Sequence, residues 1–217
     1  MNNVNKIIRS IRSNLDALNL DKNNVDKNPM IQFEHWMENA LEAKVPEPNA
    51  MTLATVNKKG QPDTRIVLLR GMDKNGFSFF TNYKSAKGKE INENKKVCLN
   101  FYWAELARQV RVKGVVEKLS SKISDEYFHS RPYESQLGAW ASDQSEEIES
   151  REMLEKKYKE LALKFSKGKI KRPPHWGGFI VKPFSIEFWQ GRANRLHDRV
   201  LYEKNKSGKW NISRLAP

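Results

Sequence analysis

Residues 51–81 run Met51-Thr-Leu-Ala-Thr-Val56, then Lys58-Lys-Gly-Gln-Pro62, Thr64-Arg-Ile-Val-Leu-Leu-Arg70, Asp73-Lys-Asn-Gly76 and Phe77-Ser-Phe-Phe-Thr81. Each apolar piece has strand length and is rich in β-branched or aromatic residues. Each break holds the glycine, proline or Asn-Gly that a tight turn needs. Strands joined by turns this short are antiparallel neighbours, so the segment predicts a β-meander.

Downstream, a short helix is expected around 85–92, then long strands over 97–103 and 109–119. Residues 121–131 and 146–167 read as helices, the second with Glu-to-Lys spacings that support an exposed face, and a short helix is expected over 136–140. Strands over 178–182, 185–190, 199–203 and 210–215 close the chain. Upstream, Asn28 as cap and Pro29 as first residue open a helix with the stripe Phe33, Trp36, Met37, Ala40 and Leu41, stopped by Pro46 and Pro48. Ile7, Ile8, Ile11, Leu15 and Leu18 recur at helical spacing before a polar linker. Eight or nine strands with helices at the start and middle predict a mainly β, α+β fold: an antiparallel barrel with helical decoration. Residues 1–28 are read as a helical segment and linker serving as a lid, and 29–217 as a single domain.

The 217 residues carry 39 Lys and Arg against 26 Asp and Glu, a net charge of +13 that attracts anions. No block of five or six consecutive basic residues marks a nucleic-acid tail. Cys98, the one cysteine, excludes an intrachain disulfide or a thiolate zinc cage and reads as a small core residue. With no signal-like apolar stretch and no apolar run of membrane-spanning length, the expected location is cytoplasmic.

Several motifs are absent. There is no Gly-x-Gly-x-x-Gly; Gly88-Lys89 lacks a phosphate loop's first glycine, where Tyr83 stands, and its Ser or Thr, where Glu90 stands. His35, His129, His175 and His197 are isolated, without His-Glu-x-x-His, and no Gly-x-Ser-x-Gly occurs, so no metal site is expected. Catalysis is expected to rest on a bound organic cofactor.

Five stretches concentrate donors. In Arg195-Leu-His-Asp-Arg199, extended backbone would place Arg195, His197 and Arg199 on one face, suited to an anionic small molecule; a basic solvated strand is the equal alternative. Arg65 and Arg70 bracket an apolar centre at opposite parities, a pattern that reads more simply as charges at strand ends. Phe80-Thr-Asn-Tyr-Lys-Ser-Ala-Lys87 crowds hydroxyls and lysines at a helix start, as either a phosphate site or a plain cap. Tyr127 and Arg131 share a helical face with Ser135 just beyond, and Trp140-Ala-Ser-Asp-Gln144-Ser145 reads equally as a helix cap.

These segments, with Arg108-Gln-Val110, Ser135-Gln-Leu-Gly-Ala-Trp140, Trp176-Gly-Gly178, Glu187-Phe-Trp-Gln-Gly191 and Arg214-Leu-Ala-Pro217, together resemble the pyridoxine/pyridoxamine 5′-phosphate oxidase family, in that family's order from about Phe33 onward. The resemblance implies an FMN-binding antiparallel split β-barrel, working as a homodimer with sites at the subunit interface and no nucleic-acid or membrane partner. It implies FMN held by Arg65, Ile66, Val67, Leu68, Leu69, Arg70, Phe80, Thr81, Lys87, Gln109, Gln144, Ser145, Trp189 and Arg199, with Gln109 reaching from the other subunit. It implies substrate phosphate held by Arg12, Arg70, Tyr127, Arg131, Ser135, Arg195, Leu196 and His197, with Arg195 and His197 at the reacting edge. The implied reaction takes pyridoxamine or pyridoxine 5′-phosphate to pyridoxal 5′-phosphate, with oxygen as acceptor.

Two positions depart from the family pattern. Arg70 stands where lysine is common and Ala86 where arginine is common, so one cation is altered and one is lost; Lys87 and Lys84 are expected to cover for the second in part, at some loss of FMN affinity. Two rivals remain: a flavin- or haem-binding relative that stores or senses its ligand, and a nucleic-acid binder supported by charge and aromatics alone.

Overall fold

The computed structural model describes residues 19–166 and 168–217. The helix read from Ile7 to Leu18, and Arg12 within it, lie outside the described residues. In chain order the elements are α1 (Pro29–Glu42), β1 (Ala50–Val56), β2 (Pro62–Leu68), β3 (Gly71–Asp73), β4 (Gly76–Asn82) and α2 (Ala86–Glu93). Then come β5 (Lys96–Trp103), β6 (Arg108–Lys118), α3 (Ser121–Ser130), α4 (Tyr133–Ala141), α5 (Arg151–Lys164), β7 (Trp176–Gln190), β8 (Asp198–Lys204) and β9 (Trp210–Leu215). The architecture is an antiparallel sheet with helices, as the strand pattern predicts.

By contacts the chain divides into two compact units, Met1–Pro48 with Tyr102–Val110 and Ile186–Pro217, and Asn49–Phe101 with Arg111–Ser185. In the second unit the strand order is β2-β1-β5-β6-β7-β4-β3. The meander accounts for both arms of this order. β1 pairs β2 with Leu53 opposite Arg65, and β4 pairs β3 through the Asp73–Gly76 turn. β1 alternates buried Met51, Leu53 and Thr55 with half-buried neighbours, the period-two signature of a sheet with one face packed. Phe77 and Phe79 on β4 meet Val181 and Phe179 of β7 in register, and the Phe79 and Phe179 rings lie 5.6 Å apart.

In the first unit, α1 begins as its sequence dictates. The Asn28 side chain accepts from the Met30 N–H, and Pro29 sits where no N–H is needed. Phe33, Trp36 and Ala40 are buried, whereas Leu41, expected on the same stripe, is exposed. Trp36 meets Phe188 edge-on at 5.1 Å, Phe188 meets Tyr202 at 5.5 Å, and the Arg108 guanidinium covers Trp36 at 4.4 Å. β8 and β9 form a hairpin, with β8 also paired to β7.

Three expectations need correction. The strands read over 178–182 and 185–190 are one, β7, running through Pro183, whose missing N–H removes one ladder donor without ending the strand. The helix read from 146 starts at Arg151, because Ser145 adopts a left-handed φ of 73° and Ser150 is the cap, accepting from the Met153 N–H. The stretch from Arg195 to Val200 is not uniformly extended. Ala193–Arg195 is a 3-10 turn in which Asn194 and Arg195 have φ of 57° and 61°, and β8 begins only at Asp198. The Arg195-His197-Arg199 row therefore does not share one strand face. Among the described residues no helix is long and apolar enough to cross a membrane.

Candidate active site

The second unit carries an open cavity of about 630 Å³, within the size range of small-molecule sites. Its lining includes Arg65, Ile66, Val67, Leu68, Arg70, Phe80, Thr81, Lys87, Tyr127, Arg131, Ser135 and Gln144, drawn from β2, β4, α2, α3, α4 and the connections that follow β2, α3 and α4. These twelve residues, spread over 80 positions of sequence, are all ones singled out from sequence. Leu69 is not among the lining residues; its N–H and carbonyl are tied to Asn49. Ser145 lines a separate groove with Ile148, Met153 and Leu154.

At one end of the cavity Lys87 is buried at the start of α2 and donates to Oε1 of Gln144 at 2.9 Å, as does the Thr81 hydroxyl at 3.3 Å. Burial, and after it the Arg65 charge, pulls the Lys87 ammonium below the ordinary lysine value, with Glu90 and Asp63 opposing. Arg65 is already engaged. Its guanidinium meets Asp63 at 2.6 Å and Glu90 at 3.0 Å, and also donates to the Thr55 hydroxyl. Ala86 is exposed on the first turn of α2, and Lys84 is exposed beside it.

At the other end Phe80 stacks on Tyr127 at 3.9 Å and on Trp176 at 5.6 Å. Arg131 follows α3 in extended conformation, and its Nη1 is buried with no hydrogen-bond partner among the described residues. Burial pulls this guanidinium down, Tyr127 acts against that shift, and the nearby Arg70 adds to it. A buried, unpaired donor beside a second arginine is the donor set of an anion site, because an unpaired polar group in a low-dielectric place is costly until a ligand meets it. Aromatic rings and two groups of cations lining one cavity suit a flat ring carrying phosphate, so the residues present fit FMN and a phosphorylated pyridine.

Trp176 and Asn82 line the cavity without having been assigned a role from sequence; they face each other in the β4–β7 register. The Trp-Gly-Gly triplet was the available signal. A Cβ on Gly177 would lie 2.2 Å from the Tyr83 hydroxyl, and one on Gly178 2.7 Å from the Phe80 ring, so this strand must pass the aromatic wall without side chains.

The remaining sequence-derived residues belong to the first unit. His197 accepts from the Arg192 N–H through Nδ1 at 3.1 Å and lies 4.6 Å from the Trp189 ring. Arg199 donates from Nε to Glu187 at 2.9 Å and from Nη1 to the Ala216 carbonyl at 2.8 Å. Arg195 and Leu196 are exposed, and Gln109 is half-buried on β6. Asp198, on the opposite side of β8 from Arg199, is buried. It accepts from Arg214 and from the Leu20 N–H, and Arg192 lies 3.6 Å away.

Comparison with known proteins adds to this geometry. Residues 37–165 match the family model described as pyridoxamine 5′-phosphate oxidase, and residues 176–217 match the pyridoxine 5′-phosphate oxidase C-terminal dimerisation region. The pyridoxine/pyridoxamine 5′-phosphate oxidase of Nostoc punctiforme is 53% identical over 99% of this chain and all of its own length. That of Burkholderia mallei is 52% identical over 97% of this chain and 99% of its own. Among solved structures, PhzG from Burkholderia lata 383, in complex with tetrahydrophenazine-1-carboxylic acid, superposes with a TM-score of 0.88 at 29% identity, covering 94% of this chain and 100% of that one. A pyridoxamine 5′-phosphate oxidase-related, FMN binding protein from Nostoc punctiforme has the same fold, with a TM-score of 0.68 at 18% identity over 85% of this chain and 97% of its own. The chain therefore belongs to the pyridoxamine 5′-phosphate oxidase family, oxidoreductases of split-barrel fold that bind FMN.

Proposed function

We propose that the protein oxidises pyridoxamine 5′-phosphate and pyridoxine 5′-phosphate to pyridoxal 5′-phosphate in the cytoplasm, with O2 as acceptor. H2O2 is released in both cases, and NH3 from the amine after uptake of water. The observation that carries this reading is the convergence of twelve sequence-derived residues on one cavity with an unpaired arginine donor inside it. FMN, when bound, supplies the hydride-accepting and oxygen-reducing chemistry.

The chain's own residues bind and orient. Lys87, Thr81 and Gln144 form the polar end that would hold the flavin phosphate, with Arg65 beside it. Arg70, Tyr127, Arg131 and Ser135 would hold the substrate phosphate, and Ile66, Val67, Leu68 and Phe80 the flat rings between. Holding two rings face to face is mainly catalysis by proximity, and the two dianionic ligands explain a cavity lined by cations. The protein would act as a homodimer through residues 176–217, with Gln109, Trp189, Arg195, His197 and Arg199 completing sites at the subunit interface.

The test is the visible spectrum of the purified protein, followed by pyridoxamine 5′-phosphate under anaerobic conditions. Bleaching of the flavin bands that reverses in air is the expected result. Flavin that stays oxidised under both substrates overturns the reading. The likeness to PhzG favours a second reading, oxidation of a larger fused-ring acid, and the same spectral test with a reduced phenazine carboxylate decides between them.

A further inference from the structure

We propose that Trp176 is a positioning residue that makes this cavity selective for a phosphorylated substrate, by presenting the guanidinium of Arg131 on its ring face with one donor left open. The proposal rests on the function proposed above and concerns a residue to which that function assigns no role.

Trp176 is buried, 7% exposed, and lines the cavity. The guanidinium carbon of Arg131 lies 4.6 Å from the Trp176 ring centroid, and 5.9 Å from that of Phe128. Among the described residues no carboxylate pairs with Arg131. This distinguishes it from Arg65, whose charge Asp63 and Glu90 already answer. A carboxylate partner would occupy the donors of Arg131 and repel an incoming phosphate. A π face offsets part of the cost of burying the cation yet leaves its N–H groups directed elsewhere. The unpaired Nη1 is the consequence.

Trp176 is itself held firmly. Arg172 donates from Nη1 to the Trp176 carbonyl at 2.5 Å and from Nε to Asp125 of α3 at 2.7 Å. The indole lies near parallel to Phe80, at 16°, and edge-on to Phe128 at 5.4 Å. α3 thus both carries Arg131 at its end and anchors the strand bearing the ring beneath it. An unphosphorylated vitamer would leave the buried donor unmet, and sites built to bond a polar group reject analogues that lack it.

The experiment compares wild type, Trp176→Phe and Trp176→Leu, each alone and combined with Arg131→Lys, all FMN-loaded. Steady-state rates are measured with pyridoxamine 5′-phosphate and with unphosphorylated pyridoxamine. Trp176→Leu is expected to raise KM for the phosphorylated substrate about tenfold with kcat changed less than about twofold, within the strength of a desolvated cation–π contact. Trp176→Phe should fall between, because a benzene face holds a cation less well. Rates with unphosphorylated pyridoxamine should stay put, so the preference for phosphate drops about tenfold, and in the Arg131→Lys background either substitution should cost less than about twofold. Equal losses with both substrates, or the same cost with and without Arg131→Lys, would mean that Trp176 only fills the core, and would overturn the proposal. If Trp176→Leu does not fold, Trp176→Phe in the same cycle decides. If wild type oxidises neither substrate, it is the functional reading that has failed. Calorimetric titration with inorganic phosphate then tests Trp176 alone, weaker binding by Trp176→Phe supporting the proposal and unchanged binding overturning it.

Discussion

The Arg192 backbone N–H donates to Nδ1 of His197 at 3.1 Å, which puts the imidazole proton on Nε2 and makes that nitrogen a donor. An imidazole held this way is built to give a hydrogen bond. Its free nitrogen cannot accept a proton without a change of tautomer that breaks the Arg192 bond.

His197→Asn keeps an acceptor near the Arg192 N–H and removes the Nε2 donor. The expected loss in kcat/KM is about tenfold, the scale of one hydrogen bond, with the shape of the pH profile retained. A loss of a hundredfold or more together with a vanished limb of the profile would instead indicate general acid–base catalysis.

Arg195 and Arg199 should separate. Arg199 is fixed between Glu187 and the Ala216 carbonyl, whereas Arg195 is exposed on a left-handed turn. Arg195→Leu is expected to lower turnover far more than FMN retention, and Arg199→Leu to do the reverse. Parallel assays of flavin content and rate read both, and equal effects of the two substitutions contradict the division.

As the proposed partner of the flavin phosphate, Lys87 is expected to give FMN affinity a pH dependence with a defined sign. Phosphate binding favours the ammonium form, and burial has moved its loss to lower pH than for an ordinary lysine. FMN affinity should be level at neutral pH and weaken as pH rises, starting below 10.5, the ordinary lysine value. Lys87→Met should lower neutral-pH affinity by about tenfold or more, the scale of a charge-assisted bond, and flatten that limb. Fluorescence titration of apoprotein at a series of pH values measures it; a limb that persists in Lys87→Met assigns it elsewhere.

Ala86 invites a gain of function. With Lys84 exposed and Lys87 already bonded to Gln144, a cation on the first turn of α2 would add to the phosphate end. Ala86→Arg is expected to tighten FMN binding by about tenfold, one charge-assisted hydrogen bond. Unchanged affinity would overturn the reading that Lys84 and Lys87 cover for the missing arginine only in part.

Asp198 is a stability hub. Replacing it by Ala removes a partner of Arg214 and of the buried Leu20 N–H and a carboxylate 3.6 Å from Arg192, and should cost about 2 kcal/mol, less than a fully buried pair because Arg214 is partly exposed. Urea unfolding measures this; a change within about 0.5 kcal/mol, the range of ordinary surface substitutions, would show the cluster to be incidental.

Much of this was legible in the sequence because it is local. Alternation, Asn-Gly turns and the Asn28-Pro29 start act over a few residues, and β1, β4 and α1 follow them closely. The resemblance then gathered distant residues that the spacing of Arg65 and Arg70 alone would have left as strand-end charges. What was illegible depends on partners far along the chain. Nothing near Arg65 announces Glu90, and the left-handed Asn194 and Arg195 break an alternation that reads as continuous strand. The Arg131 guanidinium lies over the ring of a tryptophan 45 positions away.

The first unit is assembled from both ends of the chain, and Leu20 reaches Asp198 across 178 positions. During synthesis the second unit's sequence is complete once Ser185 has left the ribosome. Trp36, made long before, still lacks Phe188 at that moment. The apolar stripe of α1 is therefore only partly covered in the nascent chain, by Trp103 and Arg108, until Ile186–Pro217 has emerged, and aggregation at that stage competes with docking of the last hairpin.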